Sequence, residues 1–265
     1  MLDVDSINLG FSRKAAVYDA YGAGHPAIRW ARGQVRAQVL ALVSPGDPIL
    51  ELNAGTGEDA AFLAAHGLRV HATDLADGML AEMRRKAAAP ELEGRLTVQP
   101  LSVFDLAAAA GGPYALVFSN FGGLNCVPDL RPVAEQLPRV LAPGGHLVWV
   151  IMPPFCPWEL AQALRGRFSV AFRRLNGAVL ARVEGARFMA YYFTPQTVSR
   201  ALGPSFRRVA LQSLALCSPP SFMDGFPRRF PRLYRRLAAL DERVGRWPAL
   251  RGWGDFFIYT ARYEP

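Results

Sequence analysis

Cysteine is scarce. The 265-residue chain has three, Cys126, Cys156 and Cys217, widely separated and without metal-ligand spacing. That excludes a disulfide framework, calls for no metal, and fits reduced thiols in a cytoplasm. Lysine is scarcer still: Lys14 and Lys86 are the only two of 30 basic residues. Such arginine bias follows genomic base composition and carries little functional weight. Among four histidines no Ser/His/Asp or Cys/His set emerges, so covalent catalysis has no support. Long apolar runs are also missing. Leu147–Phe155 falls well short of the roughly 18 residues a membrane helix needs and reads as a buried strand. The opening MLDVDSINLGFSRK lacks the basic-then-apolar order of a secretion signal.

What is present suits a globular α/β enzyme. Apolar residues make up 51% of the chain, with 24 glycines and 21 prolines for tight connections. The net charge of +8 is uneven. Residues 1–151 hold 12 basic and 15 acidic residues, a balance of −3, whereas residues 152–265 hold 18 and 7, a balance of +11. The positive charge is a local feature of the C-terminal part.

The first 150 residues alternate strand and helix signals. Helices are expected at 26–43, 57–66, 77–88 and 128–141, and strands at 49–53, 69–73, 96–100, 115–119 and 146–152. That alternation predicts βαβ units and a parallel sheet. Beyond residue 152 the pattern changes: a short helix at 158–164, an antiparallel hairpin over 178–183 and 187–193, a helix opened by Thr194-Pro195, and strands at 207–216 and 255–263. The segment 217–254 is an insertion. Its stripe Phe226, Phe230, Leu233, Leu237, Leu240, Val244, Trp247 predicts one amphipathic helix packing its apolar side on the sheet, with arginines elsewhere. We read residues 1–265 as one domain, with 1–45 as a helical cover and 153–195 and 217–254 as substrate-side insertions.

The central motif is Glu51-Leu52-Asn53-Ala54-Gly55-Thr56-Gly57. A strand that ends in Gly-x-Gly and opens a helix lets backbone approach a ligand without Cβ collisions. Asp74, at the end of the next strand, can accept hydrogen bonds from ribose hydroxyls. Together they predict a nucleoside ligand. Gly55-x-Gly57-x-x-Ala60 also fits a dinucleotide fingerprint, so an NAD(P) oxidoreductase is one alternative. Glu51 opposes it: a carboxylate before the turn suits a cationic amino group and repels a pyrophosphate. Glu58-Asp59 make the helix start equally unfriendly to phosphates.

ILELNAGTGEDA (49–60) resembles the first motif of class I S-adenosylmethionine (SAM) dependent methyltransferases, and VHATDLADGML (70–80) their second. YALVFSNFGGLN (114–125) occupies the place of their fourth-strand motif, and LAPGGHLVWV (141–150) resembles the turn into the fifth strand. The resemblance covers roughly residues 15–152 and is closest to bacterial small-molecule methyltransferases. It implies a doubly wound, seven-stranded, mostly parallel sheet with an antiparallel last strand, at the edge, and a C-terminal capping elaboration. It implies that Gly55, Gly57 and Ala54 line the methionyl group, that Glu51 and Asn53 sit by its amino end, and that Asp74 holds the ribose. Leu75 and Met79 would flank the adenine, with Ser102 and Val103 at its edge, and Tyr18 would cover the site.

Methyl transfer from a sulfonium needs positioning more than protein chemistry. The acceptor site is therefore sought after the fourth strand, at Asn120, Phe121 and Asn125, and among Phe155, Arg173, Tyr192 and the run 219–222. His25 is the candidate base by type, with Asn120 as a second catalytic candidate. The reading is a methyltransferase acting on a small organic, lipophilic or anionic acceptor and releasing S-adenosylhomocysteine (SAH). The non-enzyme alternative is a SAM-binding partner subunit without an open acceptor pocket. For the arginine-rich segment 228–247 a solvated lid is the leading expectation. A membrane-surface contact comes second, and nucleic acid is disfavoured.

Overall fold

The computed structural model describes residues 3–265. Strands β1 (Pro48–Leu52), β2 (Arg69–Asp74), β3 (Leu96–Pro100), β4 (Tyr114–Ser119) and β5 (Leu141–Ile151) pair in parallel. With β8 (Phe206–Leu214) and β9 (Phe256–Tyr263) they form one sheet of order β3-β2-β1-β4-β5-β9-β8. Only β9 is reversed, antiparallel to both β5 and β8. The reversed strand thus lies one position inside the edge, and β8 takes the edge itself. The parallel strands are buried on both faces, so they read as apolar runs without alternation. Strand order reverses between β1 and β4, so their carboxyl ends open the crevice where such sheets bind ligands.

Helices α1 (Val4–Gly24) and α2 (Pro26–Leu40) cover that crevice, ahead of α3 (Glu58–Ala65) and α4 (Asp77–Ala87) in the parallel half. Helix α1 lies directly on the start of α4: a Cβ on Gly78 would come within 2.5 Å of the Ser12 carbonyl oxygen. Lys86 ties α1 to this half through Asp19 at 2.6 Å and Glu58 at 3.3 Å.

The helix expected at 128–141 is two short ones, α5 (Arg131–Ala134) and α6 (Leu137–Val140), each opened by its own proline. Pro132 and Pro138 supply no amide hydrogen and suit a first turn, so the chain restarts rather than continues. After α7 (Pro157–Leu160) and α8 (Phe168–Phe172), β6 (Ala178–Val183) and β7 (Ala186–Tyr191) form a separate hairpin. The hairpin buttresses α1, with Phe11 5.7 Å from Phe188 and Arg13 donating to the Glu184 carbonyl. Helix α9 (Pro195–Leu202) follows, with Thr194 capping it.

The stripe expected as one helix breaks at Phe230-Pro231 into α10 (Gly225–Arg229) and α11 (Pro231–Val244). Its packing face also differs from expectation. Tyr234, Ala238, Asp241 and Val244 are buried, while Phe230, Leu233, Leu240 and Trp247 are exposed. Asp241 explains the rotation. Its carboxylate accepts from the amides of Leu216, Cys217 and Ser218 and from the Ser218 hydroxyl, an inward claim the hydropathy pattern does not contain.

Candidate cofactor and acceptor cavities

Two chain turns build the site. After β1, Asn53 takes a left-handed backbone with φ 52°, and Gly55 and Gly57 follow at 57° and 77°. After β4, Phe121 is left-handed at 45°. Left-handed residues other than glycine are strained, and such strain gathers at ligand sites. Asp74, at the end of β2, closes the first turn. One carboxylate oxygen accepts from Gly55 N–H at 2.8 Å, the other from Leu75 and Ala76 N–H. Burial raises the Asp74 carboxyl above its ordinary range, and those amide hydrogen bonds only partly oppose it.

The cavity between these turns is lined by Tyr18, Asn53, Gly55, Asp74, Leu75, Met79, Ser102, Val103, Asn120 and Phe121, together with Ile7 and Phe11 of α1. Three residues expected there are not on its wall. Gly57 faces α4, where a Cβ would meet Met83 Cγ at 2.6 Å, so it is needed for packing. Ala54 N–H donates to the Thr73 carbonyl and clips β1 to β2. Glu51 lies behind the wall, 2% exposed, with Oε2 lacking any partner among the described residues. Burial, then the nearby Asp59, push its carboxyl well up, with Arg32 opposing.

The residues present fit SAM. Glu51 Oε2 and Asn53 Oδ1 are buried acceptors without donors among the described residues, which suits an ammonium group. Asp59 is neutralised by Arg32 and Arg36, so the carboxyls that disfavour a pyrophosphate here are Glu51 and Asp74. Cys126 also lines this cavity, but burial, reinforced by Asp74, pushes its thiol up to about 12, so it is no nucleophile at neutral pH.

A second cavity of about 280 Å³ shares Tyr18 and Phe121 with the first. Lys14, Tyr21, Ile28, Ala31 and Arg32 line it from α1 and α2, Ala215 from the end of β8, Pro220–Phe222 from the C-terminal insertion, and Asp255 and Phe256 from the entry to β9. Phe256 meets Phe121 edge-on at 5.7 Å, and the Arg32 guanidinium lies over the Phe121 ring at 5.1 Å.

Several expected acceptor residues are elsewhere. Asn125 is fully buried, donating to the Met152 and Tyr191 carbonyls and accepting from Met152 N–H, so it joins β5 to β7. Phe155 packs on Trp253 beside a different surface recess. Arg173 forms a two-pronged pair with Glu159, and Tyr192 lies under Arg174. Of the run 219–222, Pro220, Ser221 and Phe222 do reach the cavity. Asn120 lines the cofactor cavity, but its amide donates to Asp59 at 2.8 Å and its carbonyl accepts from Phe121 N–H, leaving no basic role. His25 lines neither cavity. It is 1% exposed between α1 and α2, with both ring nitrogens unpartnered among the described residues.

Sequence reasoning weighed Asp59 only as an acid at the helix start and missed its part in holding the site together. Asp59 gathers Arg36 at 2.6 Å, Arg32 at 3.3 Å and Asn120, joining α2, α3 and the β4 turn. Arg32 and Arg36, four apart on α2, were the available signal. It also missed the cluster Cys156, Glu159 and Asp255, whose ligand-type atoms lie within 4.8 Å of one another. Arg174 is the cation there, 2.7 Å from both carboxylates.

Comparison with known proteins agrees with this geometry. A family described as "Methyltransferase domain" matches residues 49–145. A demethylmenaquinone methyltransferase of Thermus thermophilus is 34% identical over 248 residues, 87% of this chain and 97% of that one. In fold, the CcbJ methyltransferase from Streptomyces caelestis is similar, with a TM-score of 0.63 at 20% identity over 95% of this chain and 96% of that one. So is the Burkholderia thailandensis 1,6-didemethyltoxoflavin-N1-methyltransferase solved with 1,6-didemethyltoxoflavin and SAH, with a TM-score of 0.60 at 16% identity, covering 98% and 88%. With motifs, sheet and near full-length likeness in agreement, the chain belongs to the class I SAM-dependent methyltransferases.

Proposed function

We propose that the enzyme methylates an apolar small-molecule acceptor of quinol type, held in the cavity beyond Phe121. The observation that carries this is the apolar cavity that opens beside the cofactor cavity and shares Tyr18 and Phe121 with it. An open acceptor space is also what a non-catalytic partner subunit would lack. The named activity of the Thermus thermophilus relative makes a demethylated quinol the first acceptor to test.

SAM supplies a methyl group on sulfur, transferred by in-line displacement. In this reading Asp74 would hold the ribose hydroxyls, Leu75 and Met79 would flank the adenine, and Ser102 and Val103 would border its edge. Asn53 and Gly55 would line the methionyl end, and Glu51 would balance its ammonium from behind the wall. Phe121 and Tyr18 exclude water from the transfer path and orient the acceptor ring, which is where most of the rate gain arises. Asp255 takes up the proton that the acceptor sheds. It lines the acceptor cavity, one oxygen is held by Arg174 at 2.7 Å, and burial raises its carboxyl against that cation's pull. The three free cysteines fit a cytoplasmic place of work.

Calorimetric titration with SAM, SAH and NADH tests the cofactor assignment, on wild type and Asp74→Ala. SAM and SAH should bind, with affinity at least tenfold weaker in the variant, as expected for a lost charge-assisted contact of about 1.5–3 kcal/mol. Binding of NADH alone would overturn the reading.

A further inference from the structure

Helix α11 has a face that the fold leaves uncovered. Its inward side is complete: Tyr234 and Ala238 pack near Ala27 and Trp30 of α2, and Asp241 pins residues 216–218. Outward it shows Leu233 and Leu240, 46% and 42% exposed and two turns apart on one side. Phe230 and Trp247 extend the stripe at 46% and 57%.

The charges around this stripe have one sign. Residues 225–247 hold seven arginines against two acids, Asp241 and Glu242. Neither acid serves the outer face, because Asp241 is buried and Glu242 accepts from Trp30 and Gln34 of α2. Arg232, Arg236 and Arg243 fall beside the two leucines by helical spacing, all exposed and none in an ion pair among the described residues. Exposed leucines flanked by uncompensated arginines match the interfacial zone of an anionic bilayer: apolar side chains enter the acyl boundary while guanidinium groups reach phosphates. A second copy of the chain would bring arginine against arginine.

We propose that the outer face of α11, with Phe230 and Trp247, docks on the surface of an anionic phospholipid bilayer. The chain reaches this face directly from Pro220–Phe222, on the acceptor-cavity wall, and Phe222 is itself 46% exposed. Docking would therefore turn the cavity rim toward lipid, so that an apolar acceptor enters without crossing water. The last step rests on the proposed function; the docking itself does not.

The test is partition of the full chain, with SAH bound, onto vesicles of phosphatidylglycerol and phosphatidylcholine and onto pure phosphatidylcholine. Wild type should bind the anionic vesicles with a blue shift of tryptophan emission and weaken as salt rises. The triple variant R232Q/R236Q/R243Q should lose on the order of a hundredfold in partition, from about 1 kcal/mol per surface arginine. L233S/L240S should lose on the order of tenfold or more. SAH affinity should be unchanged in both, which separates this test from the cofactor assignment. No partition by wild type, or variants that partition equally, would overturn the proposal. So would charge-dependent binding that ignores the leucines, shows no spectral shift and is matched by polyglutamate, the behaviour of a surface for an acidic polypeptide.

Discussion

Glu51 shows what a single residue tells before and after folding is known. Its position ahead of the glycine turn pointed to a cationic ligand group, yet no sequence pattern says that the carboxylate lies behind the wall with Oε2 unpartnered among the described residues. Its burial has a sign that can be worked out. Raised well above 4.5, the carboxyl holds a proton longer in the folded than in the unfolded chain. Stability of the ligand-free protein therefore falls as pH rises from about 4.5 through the raised folded value, and stays lower above it. Glu51→Gln removes that dependence. The ligand-free variant should be at least as stable as wild type at neutral pH, and its advantage should fade toward pH 5, while SAH affinity falls. Melting curves across pH read this, and a variant less stable than wild type at neutral pH would sink it. Asp74's place on the cavity wall was legible because it depends on strand position alone. The placement of His25 was not: residue type suggested a base, and only tertiary packing shows that it is buried beside Tyr21 and lines neither cavity.

Among elements, the parallel strands were legible because burial on both faces leaves continuous apolar runs, and the glycine turn marked the crevice. Breaks inside helices were less so, since Pro132, Pro138 and Pro231 each fit either a kinked helix or a restart. Helix α11 was misread in rotation because one buried carboxylate, Asp241, outweighs a regular leucine stripe. Burial raises the Asp241 carboxyl, and the hydroxyl and amide donors of residues 217–218 only partly offset this. Asp241→Ala would leave the amides of Leu216, Cys217 and Ser218 without their acceptor, at about 1–3 kcal/mol for each that stays buried. We expect a melting temperature lower by several degrees, at roughly 2–4 °C per kcal/mol for a chain of this size. The acceptor KM should rise because residues 220–222 lose their anchor, with SAH affinity little changed. A variant that loses SAH affinity while retaining its acceptor KM would show that α11 supports the cofactor cavity instead.

At the scale of the whole molecule, the two halves divide the work. The parallel half, with its small negative balance, builds the cofactor crevice and, through α1 and α2, one side of the second cavity; the basic C-terminal part supplies that cavity's other side and the exposed arginine face. Among the described residues no helix is long and apolar enough to cross a membrane. The hairpin was expected to line the acceptor site and instead braces α1, a role that depends on which elements meet in space. The central claim is that an acceptor lies in the cavity beyond Phe121 while the methyl donor lies before it. Transfer of a labelled methyl from SAM to a demethylated quinol, by wild type and by Ser221→Trp, tests this most directly. Ser221 lines only the acceptor side, so a tryptophan there fills that cavity and spares the other. The account predicts labelled product from wild type and at least a tenfold loss in the variant at unchanged SAH affinity. Undiminished transfer by Ser221→Trp would contradict it.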